Sequence, residues 1–302
     1  MELYKSRQIQ CFEAVMAERS VRKAADRLAM SVSEVSRQIR KLETETKLHL
    51  FDRERSGVKP TEEAKYLLEF QRGCDAQYEV FESHINSLKS LKTGTVSISA
   101  SESMMTPFVN EVLWSFCREY PNIRVSLSQR ATREIIEDVL TDNAHIGIAY
   151  NAPAVDGVSV YRSVRDSVTA AVHPDHPLAK HDGPITFTRA VSYPFATMPT
   201  LYGLGGLMES VAHAEGIKFK PTVVANTLDV LRRFALEGLG VAFVSTFTIR
   251  SEVERGLLVG KALDHPSLGR QSTSILVKAQ RGLSDATREM LQRIETGMTV
   301  FQ

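Results

Sequence analysis

The sequence predicts an α/β protein in three parts. Residues 1–60 form a small helical head with a β-wing, residues 61–91 a long linker helix, and residues 92–302 a two-lobed α/β domain. Three observations predict it. A short, capped pair of helical segments near the front carries a basic face. An apolar stripe with alternating three- and four-residue steps runs from Ala64 to Leu88. Beyond residue 92, strand-like and helix-like segments alternate, and the alternation restarts near residue 167. A chain of 302 residues also exceeds one ordinary core.

Charge divides the chain in the same place. The whole carries 37 Lys and Arg against 36 Asp and Glu, a net of +1, but residues 1–60 are net +4 and the remainder net −3. Only the front is therefore expected to meet a polyanion. The start, MELYKSRQIQ, has no apolar run, and no 18-residue apolar stretch follows. The expectation is a cytoplasmic protein with no signal peptide and no membrane contact. Cys11, Cys74 and Cys117 are odd in number and far apart, which argues against a disulfide framework, a zinc site or a paired redox thiol.

In the head, a first helix is expected over 6–17, with Ile9, Phe12, Val15 and Met16 on one face. Ser20 has N-cap character, and a second helix over 21–29 buries Val21, Ala24, Ala25 and Leu28. The Ala pair lets another helix cross closely. Ser31 and Glu34 form an S-x-x-E capping box, so Glu34 is assigned to capping, and a third helix follows with Val35, Ile39 and Leu42 inward. Its opposite face gathers Ser33, Ser36, Arg37 and Arg40. Small hydroxyls allow close approach to a major groove, and Arg bonds a guanine edge or a phosphate. The arginines alone fit a solvated helix face equally well; the capped short turn between two helices favours a helix-turn-helix. Leu48, Leu50 and Phe51 are then expected inside, Ser56-Gly57 as a turn, and Arg53, Arg55 and Lys59 on a β-wing facing phosphates.

Thr61, after Pro60, caps the linker helix. Its inward positions are Ala64, Leu67, Gln71, Cys74, Tyr78, Phe81, Ile85 and Leu88, the spacing of a coiled-coil seam. A helix of about 42 Å cannot bury such a stripe alone, so a second subunit is expected to cover it. Packing on the chain's own second domain is the alternative.

These residues resemble the N-terminal region of LysR-type transcriptional regulators. The resemblance rests on AADRL (24–28), Val35-Ser36-Arg37-Gln38-Ile39 with Leu42-Glu43, Leu50-Phe51 with Arg53, and Thr61-Glu62. It implies a winged helix-turn-helix, dimerisation through the linker helix and an effector domain behind it. Where the family usually has Ser-Gln-Pro-Ala-Val-Ser, this chain has Ser31-Val32-Ser33-Glu34-Val35-Ser36. Val32 thus replaces a base-contacting Gln and is expected to touch a thymine methyl, and Lys47 replaces a usual Gly.

In the remaining residues, strands are expected at 94–101, 124–128 and 146–150, with a helix holding Pro107 in its first turn and another at 132–140. The pattern restarts with strands at 167–173, 222–225 and 241–245 and helices near 204–215 and 228–237. Parallel sheets are expected in two lobes, about 92–161 with 267–302, and about 162–266, with a ligand cleft at the carboxyl ends of their strands. HPDHPLA (173–179), EGLGVAFVS (237–245) and RGLLV (255–259) resemble stretches of the LysR-type effector domain, itself similar to periplasmic solute-binding proteins. His145 stands where the family often has Asp, and Ser245 where it usually has Pro.

The resemblance places the effector cleft at Ser101, Glu102, Ser103 and Met104, at Arg130, Ala131 and Thr132, at Met198, Pro199, Thr200 and Tyr202, and at Asn226, Thr227 and Phe243. Hydroxyls and N–H groups at helix starts make an anion seat, and Met104, Met198, Tyr202 and Phe243 an apolar wall. The expected effector is a small organic anion, a carboxylate with an aromatic or apolar body. The alternative is that these Met and aromatic residues are ordinary core.

Other chemistry finds little support. His173, His176 and His181 are separated by Pro174 and Pro177 and read as a solvated loop, not a metal site. GLGG (203–206) lacks the strand–GxGxxG–helix frame of a phosphate loop, and no nucleophile elbow occurs. No catalytic residue, metal or cofactor is expected. The expected partners are double-stranded DNA, the effector, a second copy and then a tetramer, and RNA polymerase. A solute-binding protein without regulatory role and an uncharacterised enzyme are the readings of a different class.

Overall fold

The computed structural model describes residues 6–54, 57–88 and 93–302. Its contacts divide the chain into two compact units, Met1–Ala76 and Gln77–Gln302.

In the first unit, α1 (Arg7–Glu18), α2 (Val21–Leu28) and α3 (Val32–Thr46) precede a hairpin of β1 (Phe51–Glu54) and β2 (Gly57–Pro60). Ser6, Ser20 and Ser31 cap the three helices, their hydroxyls accepting from the N–H of Ile9, Lys23 and Glu34. Phe12, Val15, Ala24, Ala25, Val35, Ile39, Leu42 and Leu50 form one buried core. The Ala pair is almost fully covered, as a close helix crossing requires. Only half of the expected capping box forms. Ser31 bonds the Glu34 N–H, but the Glu34 carboxylate turns to Arg37 and Gln38. Both outward partners lie one turn further along its own helix, within easier reach than the Ser31 N–H.

All three head helices end in a left-handed residue, and none of the three is glycine: Arg19 (φ 48°), Ala29 (φ 51°) and Lys47 (φ 60°). At Arg19 the chain also makes a close approach. The Arg19 carbonyl accepts from the Val58 N–H at 3.1 Å, and a Cβ on Gly57 would stand 2.4 Å from that carbonyl oxygen. The wing is thereby tied to the end of α1.

The linker helix α4 spans Glu62–Leu88. Thr61 caps it, accepting from the Ala64 N–H at 3.2 Å while donating to the His49 carbonyl at 2.6 Å. Its apolar face differs from the expected seam. Ala64, Leu67 and Leu68 pack on the head core. The large apolar residues left in the open are Tyr66, Phe70 and Phe81, 72%, 68% and 54% exposed. They share one face at helical spacing, and only Phe81 belongs to the expected set. Counting by heptads could not tell which side the head itself would use. The Leu88 side chain lies outside the described residues.

Lobe I of the second unit holds β3 (Gly94–Ala100), α5 (Glu102–Phe108), α6 (Trp114–Glu119), β4 (Ile123–Gln129), α7 (Thr132–Leu140), β5 (Ile146–Tyr150) and β6 (Val158–Arg165). The chain then crosses to lobe II. That lobe holds β7 (Val168–Val172), α8 (Phe187–Val191), β8 (Phe195–Thr197), α9 (Gly203–Ala214), β9 (Val223–Val224), α10 (Leu228–Leu236), β10 (Val241–Ser245), α11 (Arg250–Glu254) and β11 (Val259–Ala262). It returns with β12 (Ser272–Lys278) and α12 (Asp285–Gly297). The sheet orders are β4-β3-β5-β12-β6 and β11-β7-β10-β8-β9.

The sheets are mixed, not parallel as expected. β12 runs antiparallel to β5 and β6, and β7 runs antiparallel to β10 and β11. These pairings arise where the chain changes lobes, since the strands flanking a crossover enter a sheet from its other side. At the crossing, the Asp166 N–H donates to the Gln271 carbonyl at 2.9 Å and the Val168 N–H to the Leu268 carbonyl at 3.1 Å. Pro107 is not in a first turn, because Ser101 starts α5 six residues earlier. A π-helical turn, Val109–Leu113, follows it and joins α5 to α6. A missing N–H inside a helix is commonly absorbed in this way.

Glu79, in the second half of α4, meets the lobe I residues His145 (3.2 Å) and Arg281 (3.2 Å), and Arg281 meets Asp142 at 2.8 Å. His145, in place of the family's usual Asp, thus faces a carboxylate. Cys11, Cys74 and Cys117 are free thiols. Among the described residues, no helix is long and apolar enough to cross a membrane.

An L-residue in the left-handed region costs of order 1 kcal/mol that glycine avoids. Lys47→Gly is therefore expected to stabilise the head by about 0.5–1 kcal/mol. Chemical denaturation of the full chain, followed by hydrogen exchange at α3, measures it.

Candidate functional site

Two regions carry chemistry. The first is the outer face of α3, where Val32 is 48% exposed, Ser33, Arg37 and Arg40 are exposed and Ser36 is half-buried. Val35, Ile39 and Leu42 hold the opposite face in the core. Arg37 is not free: it is ion-paired to Glu34. The Gln38 amide, bonded at 2.8 Å, and the Arg37 charge hold the Glu34 carboxyl below its ordinary value. Arg37 must therefore exchange one anion for another to reach DNA. Lys59 is exposed on β2. Arg53 has its backbone in β1, but its side chain, and Arg55 altogether, lie outside the described residues.

The second region is a cavity between the two lobes of unit 2. Strands β3, β4 and β5 of lobe I and β8 and β10 of lobe II all end at it, and four helices begin at it. Ser101 to Ser103 at the start of α5, Thr132 at the start of α7, Tyr202 to Leu204 at the start of α9 and Leu228 at the start of α10 line the wall. Tyr150, Met198 and Ser245 complete it. Four helix starts aim their partial positive charge into one small space.

The lobes are pinned together across this cavity. Thr132 Oγ1 accepts from the Gly203 N–H at 3.1 Å and donates to the Tyr150 carbonyl at 3.1 Å. Asn151 Nδ2 donates to the Gly203 carbonyl at 3.2 Å. Glu102 accepts from Thr227 Oγ1 and from the Leu228 N–H, both at 2.8 Å. Gly203 permits the approach, since a Cβ there would stand 2.3 Å from the Tyr150 carbonyl oxygen. The cavity offers about 30 Å³ of water-accessible space. Burial raises the Asp166 carboxyl, which sits at the crossing and accepts from Thr273 Oγ1 at 3.1 Å. Burial, with the Asp166 charge adding, also pushes the Tyr150 hydroxyl far above its ordinary value.

Comparison with known proteins matches both parts of the chain. Residues 6–65 match the bacterial regulatory helix-turn-helix proteins of the lysR family, and residues 89–299 match the LysR substrate binding domain. The chain belongs to the LysR family. It is a DNA-binding transcriptional regulator with an effector-binding domain, not an enzyme. A probable RuBisCO transcriptional regulator of Cyanidioschyzon merolae is 28% identical, over 87% of this chain and 89% of its own length. Full-length OxyR of Pseudomonas aeruginosa, a C-to-D variant, has the same fold, with a TM-score of 0.73, 15% identity, and 96% and 94% of the two chains covered. Full-length CbnR in complex with its target DNA gives 0.60, 15%, and 96% and 99%.

Not every residue that the LysR resemblance assigned to the cleft reaches the cavity. Ser101, Ser103, Thr132, Met198 and Tyr202 line it. Met104 is fully buried in the lobe I core and Phe243 in the lobe II core, where it meets the rings of Phe187 and Phe195. They are ordinary core, because their helix turn and strand face point into the sheet packing. Arg130 is exposed and faces Asp138 at 3.6 Å. Ala131 is buried as the N-cap of α7, and Asn226 and Thr200 are exposed. Pro199 and Thr200 lend their carbonyls to the close approach of Gly205 and Gly206. Thr227 acts through Glu102.

Glu102, within the stretch assigned to the cleft, lines the cavity too, as do Tyr150, Gly203, Leu204, Leu228 and Ser245, which the resemblance does not assign to it. The glycine run GLGG was a usable signal. It does not cradle phosphate; it lets the α9 start approach lobe I and its own loop. His173, His176 and His181 lie on the lobe II surface, and among the described residues no group of three His, Cys, Asp or Glu is placed to hold a metal ion.

Thr132 is 4% exposed and uses its hydroxyl in both directions. Thr132→Val leaves the Gly203 N–H without its acceptor, at a cost of about 1–3 kcal/mol. The expected outcome is faster hydrogen exchange at the start of α9, with DNA binding by the head retained. Unchanged exchange at Gly203 would remove Thr132 as an inter-lobe pin.

Proposed function

We propose that this LysR regulator reads operator DNA with the outer face of α3 and the wing, and is switched by a small organic anion held in the inter-lobe cavity. The observation that carries the second half is the convergence of four helix starts on a cavity at the carboxyl ends of both sheets. Ser101, Ser103 and Thr132 offer hydroxyls there, and Met198, Tyr202 and Leu204 an apolar side. A carboxylate with an apolar or aromatic body fits that division. The effector alters DNA binding by favouring one arrangement of the lobes over another.

On the head, Val32 and Ser33 meet base edges, Ser36, Arg37 and Arg40 meet bases or phosphates, and Arg53, Arg55 and Lys59 meet phosphates. The protein works as a homodimer, in the cytoplasm with its DNA, and as a homotetramer on longer sites, and it acts on RNA polymerase at the promoter. The exposed face of Tyr66, Phe70 and Phe81 is the dimer seam, since three large apolar residues aligned on one helix need cover.

Arg37→Ala is expected to weaken operator binding by about 1–3 kcal/mol, roughly 5- to 150-fold, with the fold retained. Mobility shifts on operator and random DNA measure it, and equal affinity for both in variant and parent would sink the assignment. Phe70→Asp with Phe81→Asp buries charge in the seam, so sedimentation at micromolar concentration is expected to show a weaker dimer. An unchanged dimer would move the interface off this face.

A further inference from the structure

Glu102 belongs to lobe I, yet both hydrogen bonds of its carboxylate go to lobe II, 125 and 126 residues further along the chain. They go to one place, the first residues of α10. A helix start needs acceptors for its free N–H groups, and a residue at the N-cap usually supplies one. Thr227 is the N-cap of α10 but bonds no N–H of its own helix. Its hydroxyl instead donates to Glu102, and Glu102 also takes the Leu228 N–H. The α10 start is therefore built as a two-donor seat for a carboxylate, and the carboxylate in it comes from the facing lobe.

A second group at the same cavity lacks a partner. Tyr150 lines the wall, is 6% exposed, and its hydroxyl has no hydrogen-bond partner among the described residues. A buried hydroxyl of this kind is costly unless something else satisfies it. The space beside it is small. About 30 Å³ of water-accessible space holds a water or two. With Glu102 in place, an incoming carboxylate finds both donors of the α10 start already taken and must replace it to reach them.

We propose that Glu102 is the resident ligand of this seat, and that a carboxylate effector enters by exchange, its own carboxylate displacing that of Glu102 from Thr227 and Leu228. The proposal rests on the reading of the effector as an organic anion. Exchange of one carboxylate for another keeps both donors satisfied while releasing the two inter-lobe bonds that Glu102 makes among the described residues. A neutral or cationic ligand leaves Glu102 in the seat and the cavity shut. Glu102 is thus the specificity-determining residue of the cleft and its built-in competitor.

The test uses the full chain, Glu102→Ala, and small probes. Glu102→Ala removes the atoms of an acetate from the seat, and propionate supplies that carboxylate with one further carbon. Hydrogen exchange at the Leu228 N–H is expected to quicken at least tenfold in the variant. Propionate at tens of millimolar is expected to restore protection and to raise the variant's melting temperature by about 2 °C or more, with less than half that shift in the parent. Propionamide is expected to do neither. Equal propionate shifts in both proteins, or unchanged Leu228 protection in the variant, would overturn the proposal. If Glu102→Ala does not fold, Glu102→Gln keeps the size and is read by the same exchange. Benzoate, titrated by calorimetry, separates this proposal from the reading beneath it. Roughly tenfold tighter binding to the variant supports both. Propionate rescue with benzoate bound by neither protein upholds the resident ligand and overturns the aromatic-anion effector.

Discussion

A helix that begins at a cavity brings N–H groups that must be paired, and this effector domain begins four helices at one. That constraint organises the site. At α7, the Glu134 side chain accepts from the Ala131 N–H. At α9, the acceptor is Thr132 of the other lobe, and at α10 it is Glu102 of the other lobe. Two of the four starts are thus completed only when the lobes are together. With the lobes together, loss of either acceptor would leave a buried N–H without a partner, a penalty of about 1–3 kcal/mol each. Each lobe has its own apolar core, but the two meet: Tyr150 of lobe I is buried with the lobe II core, and Phe247 of lobe II packs against the lobe I core. Any parting of the lobes would have to break these polar pins and draw Tyr150 out of the lobe II core.

The double crossover gives that motion a pivot. The two strands of chain that join the lobes are bonded to one another at Asp166 and Gln271 and at Val168 and Leu268. Asp166 is buried beside them and bonded to Thr273 and the Phe247 N–H. A buried carboxyl with neutral partners holds its proton more tightly than one in water. On the far side of lobe I, Glu79 of the linker helix joins His145, Arg281 and, through Arg281, Asp142. The Arg281 and Asp142 side chains are only 8% and 5% exposed, so that pair is shielded from solvent screening in a way that surface pairs are not, while Glu79 is 38% exposed.

The head follows a different economy. Its three helices stop at Arg19, Ala29 and Lys47, all left-handed and none glycine. Each tight stop is held by the surrounding core and by the wing's bond to Arg19, not by local preference. Arg37 on the outer face is held by Glu34, so the basic face is partly self-neutralised before it meets a polyanion. The helix start that Glu34 occupies favours a negative side chain, which keeps this carboxylate in place.

By itself, the sequence determined the head almost completely. Ser6 aside, each cap, the Ala24-Ala25 crossing, the inward Val35, Ile39 and Leu42 and the outward Arg37 and Arg40 follow from spacing within one or two helical turns. It also determined that two α/β lobes follow, and that Ser101, Thr132 and Tyr202 stand at segment starts. Only the tertiary structure decided which residues meet at the cavity. Met104 and Phe243 have the character of a pocket wall but lie in the cores, because burial depends on which sheet face the fold covers. Tyr66 and Phe70 are open because the head occupies the opposite side of α4. Glu102 finds its partners 125 and 126 residues away. Local pattern carries no information about a contact of that range; it exists only once the chain has crossed between lobes and brought the two helix starts together.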